Sequence, residues 1–297
     1  MNLRVVRLLS VVVLCAVMAL EGCMPTTPPP LSRHKNIIPP SRTLVNSDGQ
    51  TVEHNWLELP EMSGKSESQK FLTHYTTIGG RRVRNYSMLF DTEHRVALWV
   101  AYPLHQCYLG TTARTNAWDW DPKLAESVQP QVAYGSFGNP YQRGHQIPSA
   151  DRLVSYEANA QTFYVTNQTA QNGTLNGNMW ADLEGWVRSK ICKDTLYVVT
   201  GCVVPTTGGE RRREATVPQA YFKALLRTQN GSWGVYASDD NATCIAFWVE
   251  NKSNTSQVSA KQAISVAELE DRLGYELFPA ISRRIKEQFT PSRWALK

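Results

Sequence analysis

Short apolar runs separated by polar loops set the period of this chain. Tyr86-Ser87-Met88-Leu89-Phe90 alternates weakly, and Val96-Ala97-Leu98-Trp99-Val100-Ala101-Tyr102 is dense in β-branched and aromatic residues, so both predict strands. Thr162-Phe163-Tyr164-Val165-Thr166, Thr195 to Gly201, Ala220 to Leu226 and Cys244 to Val249 predict four more of the buried type. Two segments carry the helical period instead. Over 176–191, Met179, Leu183, Trp186, Val187 and Ile191 fall on one face. Ser265, with Glu268 three residues later, reads as a capping box that starts a helix over 265–273. Strands in succession with inserted helices and no regular βαβ alternation predict an α+β fold with a mixed or antiparallel central sheet and flanking helices.

The first residues break this pattern. Arg4 and Arg7 precede a nearly all-apolar run from Leu8 to Leu20, the size of a signal-peptide core and short for a membrane span. Gly22-Cys23 follows, which resembles a bacterial lipoprotein cleavage site. The expectation is a lipoprotein-type signal over 1–22, a lipid on Cys23, and an exported, membrane-anchored protein at the periplasm or cell surface. An uncleaved N-terminal anchor is the alternative. Residues 23–42 carry Pro25, Pro28, Pro29, Pro30, Pro39 and Pro40 and read as an extended tether. Residues 43–82 are polar and assign poorly; 83–290 form the main domain.

Composition adds bounds. The 297 residues are 42% hydrophobic and 19% charged, so the chain can bury a core and is not a charged disordered tail. The formal net charge of +5 agrees with a polyanionic partner but selects none. With Cys15 and Cys23 set aside, Cys107, Cys192, Cys202 and Cys244 remain. An even count in an oxidising compartment predicts up to two disulfides, in any of three pairings. No CxxC occurs, which argues against zinc.

Candidate chemistry sits in two segments. His145, in Gln142-Arg143-Gly144-His145, is a titratable base beside a glycine that permits close backbone approach. A lone histidine is more often structural. The second segment runs N-x8-N-x7-E-x3-R through Asn167, Asn176, Glu184 and Arg188. On one continuous helix, Asn176, Trp180, Glu184 and Arg188 would form a stripe, with Glu184 and Arg188 as an i,i+4 pair.

Together these motifs resemble the DNA/RNA non-specific endonuclease family with its ββα-metal active site. Arg143-Gly144-His145 falls on the family's RGH, Asn167 and Gln171 on its N-x3-Q, and Asn176, Glu184 and Arg188 on its metal-binding Asn, its Glu and its Arg. Leu196 to Gly201 is similar to the strand that follows, and Glu270-x3-Gly274-x3-Phe278 to a C-terminal helix. The match spans roughly 83–285. It implies cleavage of both DNA and RNA with one divalent cation, Mg²⁺ or Mn²⁺ in its place, held by Asn176. It implies His145 as general base, Glu184 orienting the cation's waters, and Arg188 and Arg114 on phosphate. Asn167 would orient His145 or the phosphate, and 5′-phosphate ends would be released. Dimers are frequent in the family, so a homodimer is a further expectation. Gln142 departs from the family's Asp before RGH. That departure supports the alternative, an impaired nuclease-fold lipoprotein that binds nucleic acid without cutting it. A small-nucleotide phosphodiesterase or glycan enzyme fits less well, because no paired carboxylates stand out. Trp118, Trp120 and Tyr141 read as core residues that would otherwise stack on bases. His34, His54, His74, His94 and His105 show no companion pattern along the sequence and are assigned no role.

Overall fold

The computed structural model describes residues 42–45, 51–54, 56–61, 66–191, 195–228 and 242–296. The expected signal segment and all of the expected tether but Arg42 fall outside these residues, as does Cys192. Among the described residues, no helix is long and apolar enough to cross a membrane.

In chain order the strands are β1 (Arg42–Val45), β2 (Thr51–His54), β3 (Gln69–Ile78), β4 (Arg81–Asp91), β5 (Val96–Leu104), β6 (Tyr141–His145), β7 (Gln168–Asn172), β8 (Leu196–Val203), β9 (Arg211–Arg212), β10 (Ala215–Thr216), β11 (Ala220–Thr228), β12 (Ala242–Glu250) and β13 (Ala263–Ile264). The helices are α1 (Tyr156–Ala160), α2 (Gly173–Gly177), α3 (Met179–Arg188), α4 (Val266–Leu273) and α5 (Arg283–Lys286). Seven strands form one sheet in the order β13-β12-β11-β8-β5-β4-β3. Every neighbouring pair in it is antiparallel. The expected α+β architecture is thus observed, in its antiparallel form.

Side-chain alternation splits the apolar residues of each strand between two cores. From β11, Tyr221 and Leu225 face a core shared with Met179, Leu183 and Val187 of α3. Phe222, Ala224 and Leu226 face the opposite core, with Val266 and Leu269 of α4 and Leu57 and Leu59 of the N-terminal segment. Both faces are covered, which is why the strand sequences read as nearly unbroken apolar runs. The site lies on the α3 side.

Several expectations are corrected. Residues 162–166 are not a strand but two 3-10 turns, Gln161–Phe163 and Val165–Asn167, because Thr162 and Asn167 spend their polar groups on local backbone rather than on a ladder. The 176–191 helix is broken at Asn178 (φ −122°, ψ −95°) into α2 and α3, so Asn176 and Glu184 do not share one stripe, and Trp180 is buried in the core. Within the poorly assigned 43–82 stretch, β3 is an edge strand of the main sheet, paired with β4 along its length. The two-disulfide expectation fails. Cys107, Cys202 and Cys244 are free, and Cys202 and Cys244 face opposite cores across the sheet. Ser265 caps the helix as expected, its Oγ accepting from Glu268 N at 3.0 Å, while the Glu268 carboxylate accepts from Arg272 instead of closing a capping box; Gly274 ends α4 at φ +74°.

Candidate active site

Strands β6 and β7 pair outside the main sheet, in the register Tyr141↔Asn172 to His145↔Gln168. Helix α2 follows β7 directly, with the Asn172 side chain capping it by accepting from Thr174 N and Leu175 N. This ribbon and helix form the ββα unit. Gly144 is required in it for a packing reason. A Cβ there would lie 2.4 Å from Gln171 Oε1 and 2.5 Å from Gln171 Cβ. Gly144→Ala is therefore expected to cost about 1–3 kcal/mol of stability, read as a lowered Tm, and to shift His145 one residue on.

His145 stands at the end of β6 in an aromatic cage. Its ring centroid lies 5.1 Å from Phe163 and 5.4 Å from Trp118. Nε2 is buried and has no hydrogen-bond partner, which leaves Nδ1 as the ring nitrogen able to meet water. Burial, reinforced by the charges of Arg114 and Arg143, pushes the His145 pKa down to about 3, so the imidazole is neutral at physiological pH. The two arginines belong to the same cage. The Arg143 guanidinium lies 3.4 Å from the Trp118 centroid and Arg114 4.7 Å from that of Phe163. The Arg114 loop is pinned by Thr115, whose N and Oγ1 both donate to Asn159 Oδ1, while Asn159 Nδ2 donates to the Ser149 carbonyl.

A second group sits on α3. Arg188 Nη1 donates to Asp151 Oδ1 at 3.0 Å, and Tyr102 Oη donates to Asp151 Oδ2 at 2.9 Å. The expected Glu184–Arg188 pair is thus replaced by Arg188–Asp151. Glu184 accepts no hydrogen bond from any described residue. Burial pushes its pKa up, opposed first by the charge of Lys223 and then by Arg188 and Arg114, with Asp151 adding to the rise. Arg114 therefore acts on His145 and Glu184 alike and joins the two groups.

Asn176 enters through β6. Its Nδ2 donates to Gln142 Oε1 at 2.8 Å, and its Oδ1 accepts no hydrogen bond from any described residue. Asn167 is placed differently from expectation. It is fully buried, with Nδ2 donating to the Ile147 and Thr162 carbonyls and Oδ1 accepting from Ile147 N. It pins the turn after His145. His74, given no role above, pairs with Asp121 in the interior at 2.9 Å.

Sequence reasoning missed Asp151, Tyr102 and Lys223. Lys223 left a legible signal, a lone charge in the apolar run Ala220 to Leu226. Asp151 and Tyr102 left none, since only the fold brings them to Arg188.

The sequence profile of the DNA/RNA non-specific endonuclease family matches residues 66–284. The chain belongs to this family. It is a nucleic-acid phosphodiester hydrolase family, and membership supports endonuclease activity on DNA and RNA. Similar proteins include the Nuclease of Nostoc sp. (strain PCC 7120 / SAG 25.82 / UTEX 2576), 30% identical over 205 residues covering 68% of this chain and 73% of that protein. Nuclease EXOG, mitochondrial, of Danio rerio is 28% identical over 217 residues, 67% of this chain and 61% of that protein. A solved structure of an EndoG/EndoGI complex superposes with a TM-score of 0.55 at 19% identity, over 72% of this chain and 89% of that one, and shows the same fold.

Proposed function

We propose that this chain is an endonuclease that hydrolyses DNA and RNA without sequence preference, with His145 as general base and one divalent cation at Asn176. The observation that carries this reading is the state of His145. It is a neutral imidazole with Nε2 sealed off, set between two arginines that match phosphate. The residues fit a hydrated hard cation. Among the described residues, no cluster of three or more His, Cys, Asp or Glu is placed to hold a metal. The unengaged Oδ1 of Asn176 is a neutral oxygen donor of the kind that leaves most of the coordination shell to water and substrate. Mg²⁺ there, or Mn²⁺ in its place, would supply Lewis-acid neutralisation of the developing phosphate charge.

The protein's own groups do the rest. His145 takes a proton from water at Nδ1 as that water's oxygen attacks phosphorus. Arg114 and Arg143 bind non-bridging oxygens beside it, and Arg188, held straight by Asp151, binds the phosphate from α3. Glu184 accepts hydrogen bonds from water in the site. The P–O3′ bond breaks, the leaving 3′-oxygen takes a proton from a water in the site, and His145 gives its proton back to solvent, which leaves a 5′-phosphate and a 3′-hydroxyl. These groups address phosphate rather than base edges, and none needs a 2′-hydroxyl, so both nucleic acids serve.

The first 42 residues support export with a lipid at Cys23, and labelling of the chain with a radiolabelled fatty acid, lost in Cys23→Ser, tests it. Size-exclusion with light scattering tests the homodimer. For activity, the chain is incubated with supercoiled plasmid and structured RNA, with Mg²⁺ or EDTA. Degradation of both that EDTA abolishes is the expected result. Binding by gel shift without cleavage in Mg²⁺ or Mn²⁺ would establish the impaired, binding-only alternative. Gln142 bears on that choice, because it keeps the hydrogen bond to Asn176 without the family's charge. Gln142→Ala is expected to weaken activation by Mg²⁺ about 10–100-fold, as losses of groups that orient a metal ligand do. Gln142→Asp should retain it, and an unchanged Mg²⁺ titration in Gln142→Ala would remove the role.

A further inference from the structure

Strand β11 runs through the interior of the sheet, with Lys223 opposite Thr200 on β8 and Phe247 on β12. Its flanking residues Tyr221 and Leu225 face the α3 core, so Lys223 faces it too. The residue is 0% exposed, its Nζ lies 5.0 Å from the Trp180 centroid, and Nζ has no hydrogen-bond partner. A buried ammonium in that state is costly, and a methionine of similar length would fill the space without the cost. Carboxylates must therefore offset it. Asp151 already accepts from Arg188 and Tyr102, whereas Glu184 accepts from no described residue. We infer that Lys223, whose ammonium lies under the α3 turn that carries Trp180 and Glu184, is a positioning residue whose buried charge holds the Glu184 side chain in place beside Arg114 and Arg188.

The electrostatics agree in direction. Burial lowers the pKa of Lys223, and the charge of Glu184 is the largest influence restoring it, followed by Asp151, against Arg188. Burial raises that of Glu184, and Lys223 is the largest influence opposing the rise. The charged and titratable groups around the pair are Lys223 from β11, Glu184 and Arg188 from α3, Tyr102 from β5, Asp151 and Arg114. Without Lys223, the upward push of burial on the Glu184 pKa loses its largest opposing influence, and a carboxyl that keeps its proton accepts fewer hydrogen bonds from water. The catalytic consequence rests on the nuclease reading above; the placement of Lys223 beneath α3 rests on packing alone.

The test uses the full chain with ¹³C-labelled glutamate carboxyls, the Glu184 signal being assigned by its loss in Glu184→Gln. In Lys223→Met the Glu184 titration is expected to move up by about one to three pH units. The rising limb of kcat/KM against pH on plasmid DNA should move with it, so that the variant recovers rate at alkaline pH. Lys223→Met combined with Glu184→Gln should be no slower than Glu184→Gln alone. If Lys223→Met does not fold, the reciprocal measurement decides: ¹⁵N-labelled Lys223 should titrate lower in Glu184→Gln than in the parent. An unmoved Glu184 or Lys223 titration, or a rate loss equal at all pH values with only a lowered Tm, would overturn the inference. A parent chain that cuts neither DNA nor RNA would sink the nuclease reading, while the titrations would still decide the Lys223–Glu184 coupling.

Discussion

His145→Ala lowers kcat for plasmid cleavage by about 10²–10⁴-fold, the range that a positioned general base contributes. Its circular dichroism and Tm stay close to the parent's, because the ring fills an aromatic cage at a strand end rather than the main core. A rate within tenfold of the parent would remove His145 from the mechanism. The pH dependence follows from the same environment. With its pKa pushed to about 3 by burial and by Arg114 and Arg143, His145 in the free enzyme stays neutral well below the usual histidine range. The limb of kcat/KM that reports His145 should accordingly lie far below pH 6.5, with Arg143→Met moving it upward as one repelling charge is lost. The sign for stability is the reverse of a salt-bridged histidine. Below about pH 6.5 the unfolded chain binds a proton at this residue that the folded chain refuses, so this contribution is full above 6.5 and is lost progressively toward pH 3. A His145 ring titration near 6.5 by NMR in the free protein would contradict the burial argument.

Asn176→Ala removes the amide whose Nδ2 Gln142 holds and whose Oδ1 would meet the cation, and should lower the rate at saturating Mg²⁺ by about 10²–10³-fold, the usual loss when one preorganised contact to developing charge is deleted. EDTA should reduce the parent to a similar residual rate, and the variant should respond little to added Mg²⁺. Asn176→Asp separates ligand from fold. It keeps an oxygen toward the cation, and Gln142 can meet it by presenting its own NH₂, so it should retain much more activity than Asn176→Ala. Equal losses in Asn176→Ala and Asn176→Asp, or a parent chain indifferent to EDTA, would remove the cation from Asn176.

The sequence by itself determined the parts that depend on local period and fixed spacing. Strands β4, β5, β8, β11 and β12 and helix α4 were readable because alternation, β-branched density and a capping serine are properties of neighbouring residues. The motif residues were readable for a similar reason: a short ribbon with a helix attached puts His145 and Asn176 at set offsets along the chain. What failed locally failed where tertiary structure overrides propensity. Thr162 to Thr166 has strand composition, yet Asn167 and Gln168 take the Thr162 carbonyl, so the segment turns beneath the site instead. The 176–191 period continues across Asn178, but α2 serves the ribbon and α3 serves the sheet. Only the fold could give Arg188 to Asp151 rather than to Glu184, seal His145 Nε2, bring Lys223 of β11 under α3, and set Cys202 and Cys244 on opposite faces of the sheet. Each of these is a pairing between residues far apart in the chain, and long-range pairing is decided by which faces the sheet buries together, which no single segment encodes.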